Sequence, residues 1–213
     1  MAAEKNYTAH NWPQHPETAS LEGKNKFTGF WIFLGGETVL FASLFATYLA
    51  LKDKVPGGDH LLAKDLFQLP LAFVMTMLLL TSSLTSVYAI YHMRNHNFKK
   101  MQLWLIITVL LGLGFLGLEI YEFIEYVHQG HTFRSSAFGS AFYVLVGTHG
   151  FHVVIGLVWF ILLIVRNAGR GLSIYNAAKY NTAALYWHFI DVVWVFIFTV
   201  VYLLGCLLYT SDA

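Results

Sequence analysis

An all-α fold, a bundle of five membrane-crossing helices, is the class this sequence predicts, and three observations carry the prediction. Only 12% of the 213 residues are charged and 57% are hydrophobic, whereas a soluble domain carries roughly 25% charge. Five stretches reach the roughly 20 apolar residues that a spanning helix requires. The segments between them are polar and rich in turn formers. Lipid offers no partner to backbone N–H and C=O groups, so apolar runs of that length must be helical.

Residues 1–26 read as a polar tail, with Pro13 and Pro16 breaking any helix. The first span, Phe27 to Leu51, has full length and follows that tail, so it reads as a permanent span rather than a cleavable signal. Lys52 to Asp59 contains Pro56, Gly57 and Gly58 and forms a polar loop. Leu69 to Tyr91 is the second span, and Arg94 to Lys100 a short basic linker. The third span runs from Leu103 to Val127, followed by the polar Gln129 to Thr132. Phe138 to Val165 is the fourth; Arg166 to Lys179 is a basic linker without an acid, and Thr182 to Leu204 is the fifth. The membrane domain is thus 27–205. A short tail, 206–213, contains the single cysteine, Cys206, and has an atypical composition on which nothing is built. One cysteine excludes an internal disulfide, and a net charge of +1 gives no case for nucleic acid.

Lys and Arg near the spans set the orientation. The side of the N-terminus holds Lys5, Lys24, Lys26, Arg94, Lys99, Lys100, Arg166, Arg170 and Lys179; the other holds Lys52, Lys54, Lys64 and Arg134. The expectation is a cytoplasmic N-terminus and a C-terminus outside. Trp31, Trp104, Trp159, Trp187 and Trp194 differ in depth and form no clean interfacial belt, so several are expected to pack against a partner.

Ionisable residues inside spans are expensive, at about 2.5–3.5 kcal/mol on insertion scales. Glu37 lies about 15 Å into the first span, with no basic neighbour in sequence, so desolvation disfavours its charged form. Glu119, Glu122 and Glu125 follow at intervals of three on the third span, and neighbours in that series share a helix face. His149 and His152 form an i, i+3 pair on the fourth span, among Gly147, Gly150 and Gly156, small residues of the kind that let helices approach closely. His188 and Asp191 form another on the fifth, where an Asp can orient a His. The plain reading of all these groups is interhelical hydrogen bonding.

A metal centre is the competing chemistry. Di-iron bundles use Glu-x-x-His on two helices. Here the pairs are Glu-x-x-Glu, His-x-x-His and His-x-x-Asp, and they differ in depth, so no metal ligand is assigned. A proton-coupled transporter built on Glu37 is a further reading, but no internal repeat or broken span supports it.

Four segments, on the first, third, fourth and fifth spans, carry a resemblance. They are FTGFWIFLGGETVLFASLFATY (27–48), GLEIYEF (117–123), AFYVLVGTHGFHV (141–153) and LYWHFIDVVW (185–194). In this order they resemble subunit III of haem–copper oxidases, over about residues 25 to 205. GLEIYEF and FTVVYLLG (198–205) are most similar to the five-helix form in bacterial quinol oxidases, the menaquinol oxidases of low-GC Gram-positive bacteria among them.

The resemblance implies a non-catalytic subunit of a complex that oxidises quinol, reduces oxygen to water and moves protons outward across the bacterial cell membrane. Subunit III of a cytochrome c oxidase is the alternative. It implies that haems and copper sit in the large subunit I and none in this chain. The expected partners are subunits I and II, phospholipids and a small fourth subunit. Glu37 matches the family's buried, carbodiimide-reactive carboxylate, and Glu122 the acid of its third-span motif. Glu119, His149, His152, His188, Asp191 and Trp194 match positions that line the bundle and its lipid cleft. No catalytic residue is implied in this chain.

Overall fold

The structure is a computed structural model that describes residues 12–51, 69–128, 137–169 and 171–203. The Lys52–Asp59 loop, the Gln129–Thr132 linker, Arg170 and the tail from 206 lie outside the described residues.

Five long helices run α1 (Leu21–Leu51), α2 (Leu69–Arg94), α3 (Phe98–His128), α4 (Ala137–Asn167) and α5 (Ile174–Ile197), and α5 continues as a π-helical turn, Phe198–Leu203. All five are long and apolar enough to cross a membrane. Their outward faces carry large apolar side chains, such as Ile32 at 75% and Leu162 at 62% exposure. Such surfaces are stable against acyl chains and not against water.

Each helix extends past the span read from hydropathy. α1 begins at Leu21 rather than Phe27, and α5 at Ile174 rather than Thr182. Hydropathy marks where lipid ends, whereas a helix continues wherever its backbone bonds remain within the chain. Ser20 supplies one such bond by accepting from the Gly23 N–H at 3.0 Å. The segment Ile174 to Lys179, taken as linker, is therefore the first turns of α5.

α2 and α3 form a tight antiparallel hairpin closed by Asn95, His96 and Asn97. The N–H of Asn97 bonds the carbonyl of His92, that of His96 bonds Met93, and His96 has φ 58. This is a Schellman cap with histidine in the place that glycine usually takes. α4 packs on α3, α5 packs on α4 and α2, and α1 joins the bundle through α4 and α5. Half of the α5 span is buried, against 17% for α1, so α5 is the inner element and α1 the outer one.

Trp187 shows how close the helices come. A Cβ at Gly112 on α3 or at Gly156 on α4 would stand 2.8 or 2.9 Å from its ring, and its Nε1 donates to Ser82 Oγ on α2 at 3.0 Å. One indole thus touches three neighbouring helices. Trp187 and Trp194 are 0% and 1% exposed, so these two pack inside their own chain, a correction to the expectation of a partner. Trp31, at 53%, keeps a surface position.

At the end of the bundle that carries the α2–α3 turn, a 3-10 turn, Pro16–Thr18, lies against α1 and α5. Arg94 at the end of α2 donates to Glu17 at 2.8 Å, and the Glu17 side chain is only 6% exposed. Trp12 stacks on His96 with ring centroids 4.4 Å apart. Residues read as plain tail therefore cap the base of the bundle.

Candidate functional site

Hydroxyls inside the spans largely satisfy themselves within their own helices. Thr38 donates to the carbonyl of Leu34, Thr76 to Ala72 and Thr108 to Trp104, each at 2.8 or 2.9 Å. The ionisable groups reach further, and several of them find a partner on another helix.

Glu37 on α1 meets His152 on α4, Oε2 to Nε2 at 3.1 Å across 115 positions. His152 Nδ1 lies 2.7 Å from the carbonyl oxygen of Thr148. A carbonyl only accepts, so Nδ1 carries a hydrogen and donates. Nε2 facing Glu37 then leaves two favourable arrangements, a protonated acid donating to a neutral ring or an imidazolium donating to a carboxylate. Both put one proton between the two residues. The side chains are 11% and 16% exposed for His152 and Glu37, so the pair is buried without being sealed. Phe41 packs on the imidazole at 5.2 Å, and Tyr186 donates to the backbone carbonyl of His152 at 3.3 Å.

Glu122 on α3 accepts from two phenols, Tyr126 on its own helix at Oε1 and Tyr202 from the π turn at Oε2, the latter at 3.0 Å. The wider π turn carries Tyr202 inward to this carboxyl. His188 Nδ1 lies 2.6 Å from Ser83 Oγ on α2. Asp191, one turn further along α5, faces the same serine without a hydrogen bond of normal geometry. It does not orient His188, contrary to the sequence expectation; Ser83 holds that ring. Trp194 Nε1 donates to Thr76 Oγ1 at 3.1 Å.

Glu119 and His149, like Asp191, lack such partners. Both are buried, at 2% and 0% exposure, and neither carboxyl oxygen nor either ring nitrogen has a hydrogen-bond partner. The Glu119 carboxylate rests against α4 where a Cβ on Gly150 would stand 2.7 Å away. Gly150 and Gly156 thus permit the close approach read from the sequence, whereas a Cβ on Gly147 would meet nothing within 4 Å.

The fold therefore brings Glu37 to His152, Glu122 to two tyrosines and His188 to Ser83, and keeps these groups apart from one another. Among the described residues, no three His, Cys, Asp or Glu side chains gather as metal ligands. Sequence reasoning missed Tyr126, Tyr202, Ser83 and Thr76. Only Tyr126 could have been found, four positions from Glu122 on one helix face.

Helix count, buried pairing and lipid-facing surface define a multi-pass membrane protein. The family described as "Cytochrome c oxidase subunit III" matches residues 15–206. The chain is 72% identical to "Cytochrome c oxidase subunit 3" of Bacillus sp. (strain PS3), over 96% of this chain and 99% of that one. It is 64% identical to "Cytochrome c oxidase subunit 3" of Bacillus subtilis (strain 168), with the same coverage, and 49% identical to "Quinol oxidase subunit 3" of that organism, over 89% of this chain and 92% of that one. The chain belongs to the subunit III family of haem–copper terminal oxidases, and it is one subunit of a larger oxidase complex.

Proposed function

We propose that this chain is the non-catalytic subunit III of a proton-moving respiratory quinol oxidase, stabilising the catalytic subunit and binding lipid beside it. The carrying observation is the family match across nearly the whole chain, joined to a site whose acids and imidazoles pair across helices. Such pairing fits a scaffold. The haems and copper of the reaction belong to subunit I in this reading, and this chain binds none. Subunits I and II, phospholipids and a small fourth subunit are its partners. The bacterial cell membrane is its location, with the N-terminus cytoplasmic, as the Lys and Arg distribution requires. The shared proton of Glu37 and His152, close to the bundle surface, suits a part in proton uptake by the neighbouring subunit.

A second reading of the electron donor has its own observation. Within one organism, B. subtilis, identity is 64% to the relative named for cytochrome c and 49% to the one named for quinol. One experiment tests both readings. The tagged chain is purified from its native membrane, and oxygen uptake is measured with reduced cytochrome c and with a quinol. Co-purification of a haem-containing oxidase supports the subunit role, and its absence removes it. The donor that drives oxygen uptake decides between the two readings.

A further inference from the structure

We propose that Glu119 and His149 hold internal water between α3 and α4, a hydrated protonatable site separate from the Glu37–His152 pair. Four polar atoms, two carboxyl oxygens and two ring nitrogens, lie buried without a hydrogen-bond partner on facing helices. Hydrocarbon provides none, so leaving them unmatched costs free energy comparable to lost hydrogen bonds. Water is the usual partner for such groups where a site is polar and roomy.

The site is polar. Phe115 packs against the His149 ring with centroids 6.0 Å apart, and Glu119 follows Phe115 by one turn, so both side chains of α3 face the same part of α4. Glu119 lies against Gly150, the residue after His149. Gly147, one turn along α4 from Gly150, is half-buried, and a Cβ there would meet nothing within 4 Å. Trp194 covers the His149 ring from α5 at 5.2 Å, and its Nε1 is engaged by Thr76, so it offers that imidazole no hydrogen bond. Water both donates and accepts, and it serves carboxyl and imidazole in any protonation state. A bound metal ion does not fit, since no third ligand stands nearby among the described residues. His152 turns toward α1 while His149 turns toward α3 and α5, so α4 separates the two sites. Glu122, one turn further along α3 than Glu119, is itself engaged by Tyr126 and Tyr202.

The test uses the intact oxidase complex, imaged at a resolution that shows ordered water. The expected result is density within hydrogen-bond distance of both the Glu119 carboxyl and a ring nitrogen of His149. Dry packing there, or a direct Glu119–His149 bond, overturns the proposal. Infrared spectra of the same complex in ordinary and 18O-labelled water give a second readout. An O–H band that shifts with the label, disappears in Glu119→Leu and moves in Glu119→Gln supports the site. A band indifferent to both substitutions, or no label-sensitive band, removes it. Asp191→Asn, on the other helix, leaves the band unchanged.

Discussion

Glu37 and His152 sit 3.1 Å apart on two different helices, with the second ring nitrogen of the histidine tied to Thr148. Neither residue can be read alone, because the proton between them belongs to the contact. The chain thereby keeps an acid and an imidazole inside a membrane at no net charge. Interhelical hydrogen bonds in membranes are worth about 1 kcal/mol.

The pair predicts a coupling. Glu37→Leu and His152→Leu each lower the thermal stability of the complex, and the double variant costs less than the sum by about 1 kcal/mol. Glu37→Gln, which still pairs with the ring, loses little. A double-mutant cycle on the detergent-purified complex checks this, and zero coupling contradicts it.

Trp187 predicts steric behaviour. Gly112→Val and Gly156→Val drive Cβ atoms into the indole from two sides, so each lowers the yield of assembled complex. Trp187→Ala costs about 3–5 kcal/mol, as for other large cavities. Trp187→Leu partly rescues Gly112→Ala in the same assembly assay, and that rescue separates a clash from a general loss of helix propensity.

Glu122 predicts unequal partners. Tyr202→Phe deletes an interhelical donor to that carboxyl, and it costs about 1 kcal/mol. The loss loosens the C-terminal end of α5, so amide hydrogen exchange there speeds up while exchange in α2 stays as it was. Uniform protection across α5 contradicts the assignment.

The base of the bundle predicts a salt-resistant clamp. Glu17→Ala leaves Arg94 without its buried carboxylate and costs about 1–3 kcal/mol. Glu17 is buried while Arg94 is 41% exposed, and a partly buried pair is screened less than a surface one, so most of the loss persists at high ionic strength. A loss that disappears in high salt shows an ordinary surface pair instead.

The five spans were legible because hydropathy and the roughly 30 Å thickness of hydrocarbon act on contiguous residues. The helix ends were less legible, as Leu21 and Ile174 show, since a backbone helix does not stop where lipid does. Glu37 stood out in the sequence, but its partner did not. A contact across 115 positions depends on how α1 and α4 dock, and nothing near Glu37 encodes His152. Ser83 and Thr76 were hidden for a different reason, since threonine and serine are common in spans and usually bond their own helix. Trp187 and Trp194 misled because an indole suits both an interface and a core; the glycines at 112 and 156 were the sign that it is a core residue.

The proposed role, assembly with haem-bearing and copper-bearing subunits without holding either group in this chain, has a direct test. Haem and copper are quantified per catalytic subunit in the purified oxidase with this chain present and after its gene is deleted. Unchanged haem and copper ratios are expected, with a complex that melts at a lower temperature. A haem or copper lost in step with this chain contradicts it.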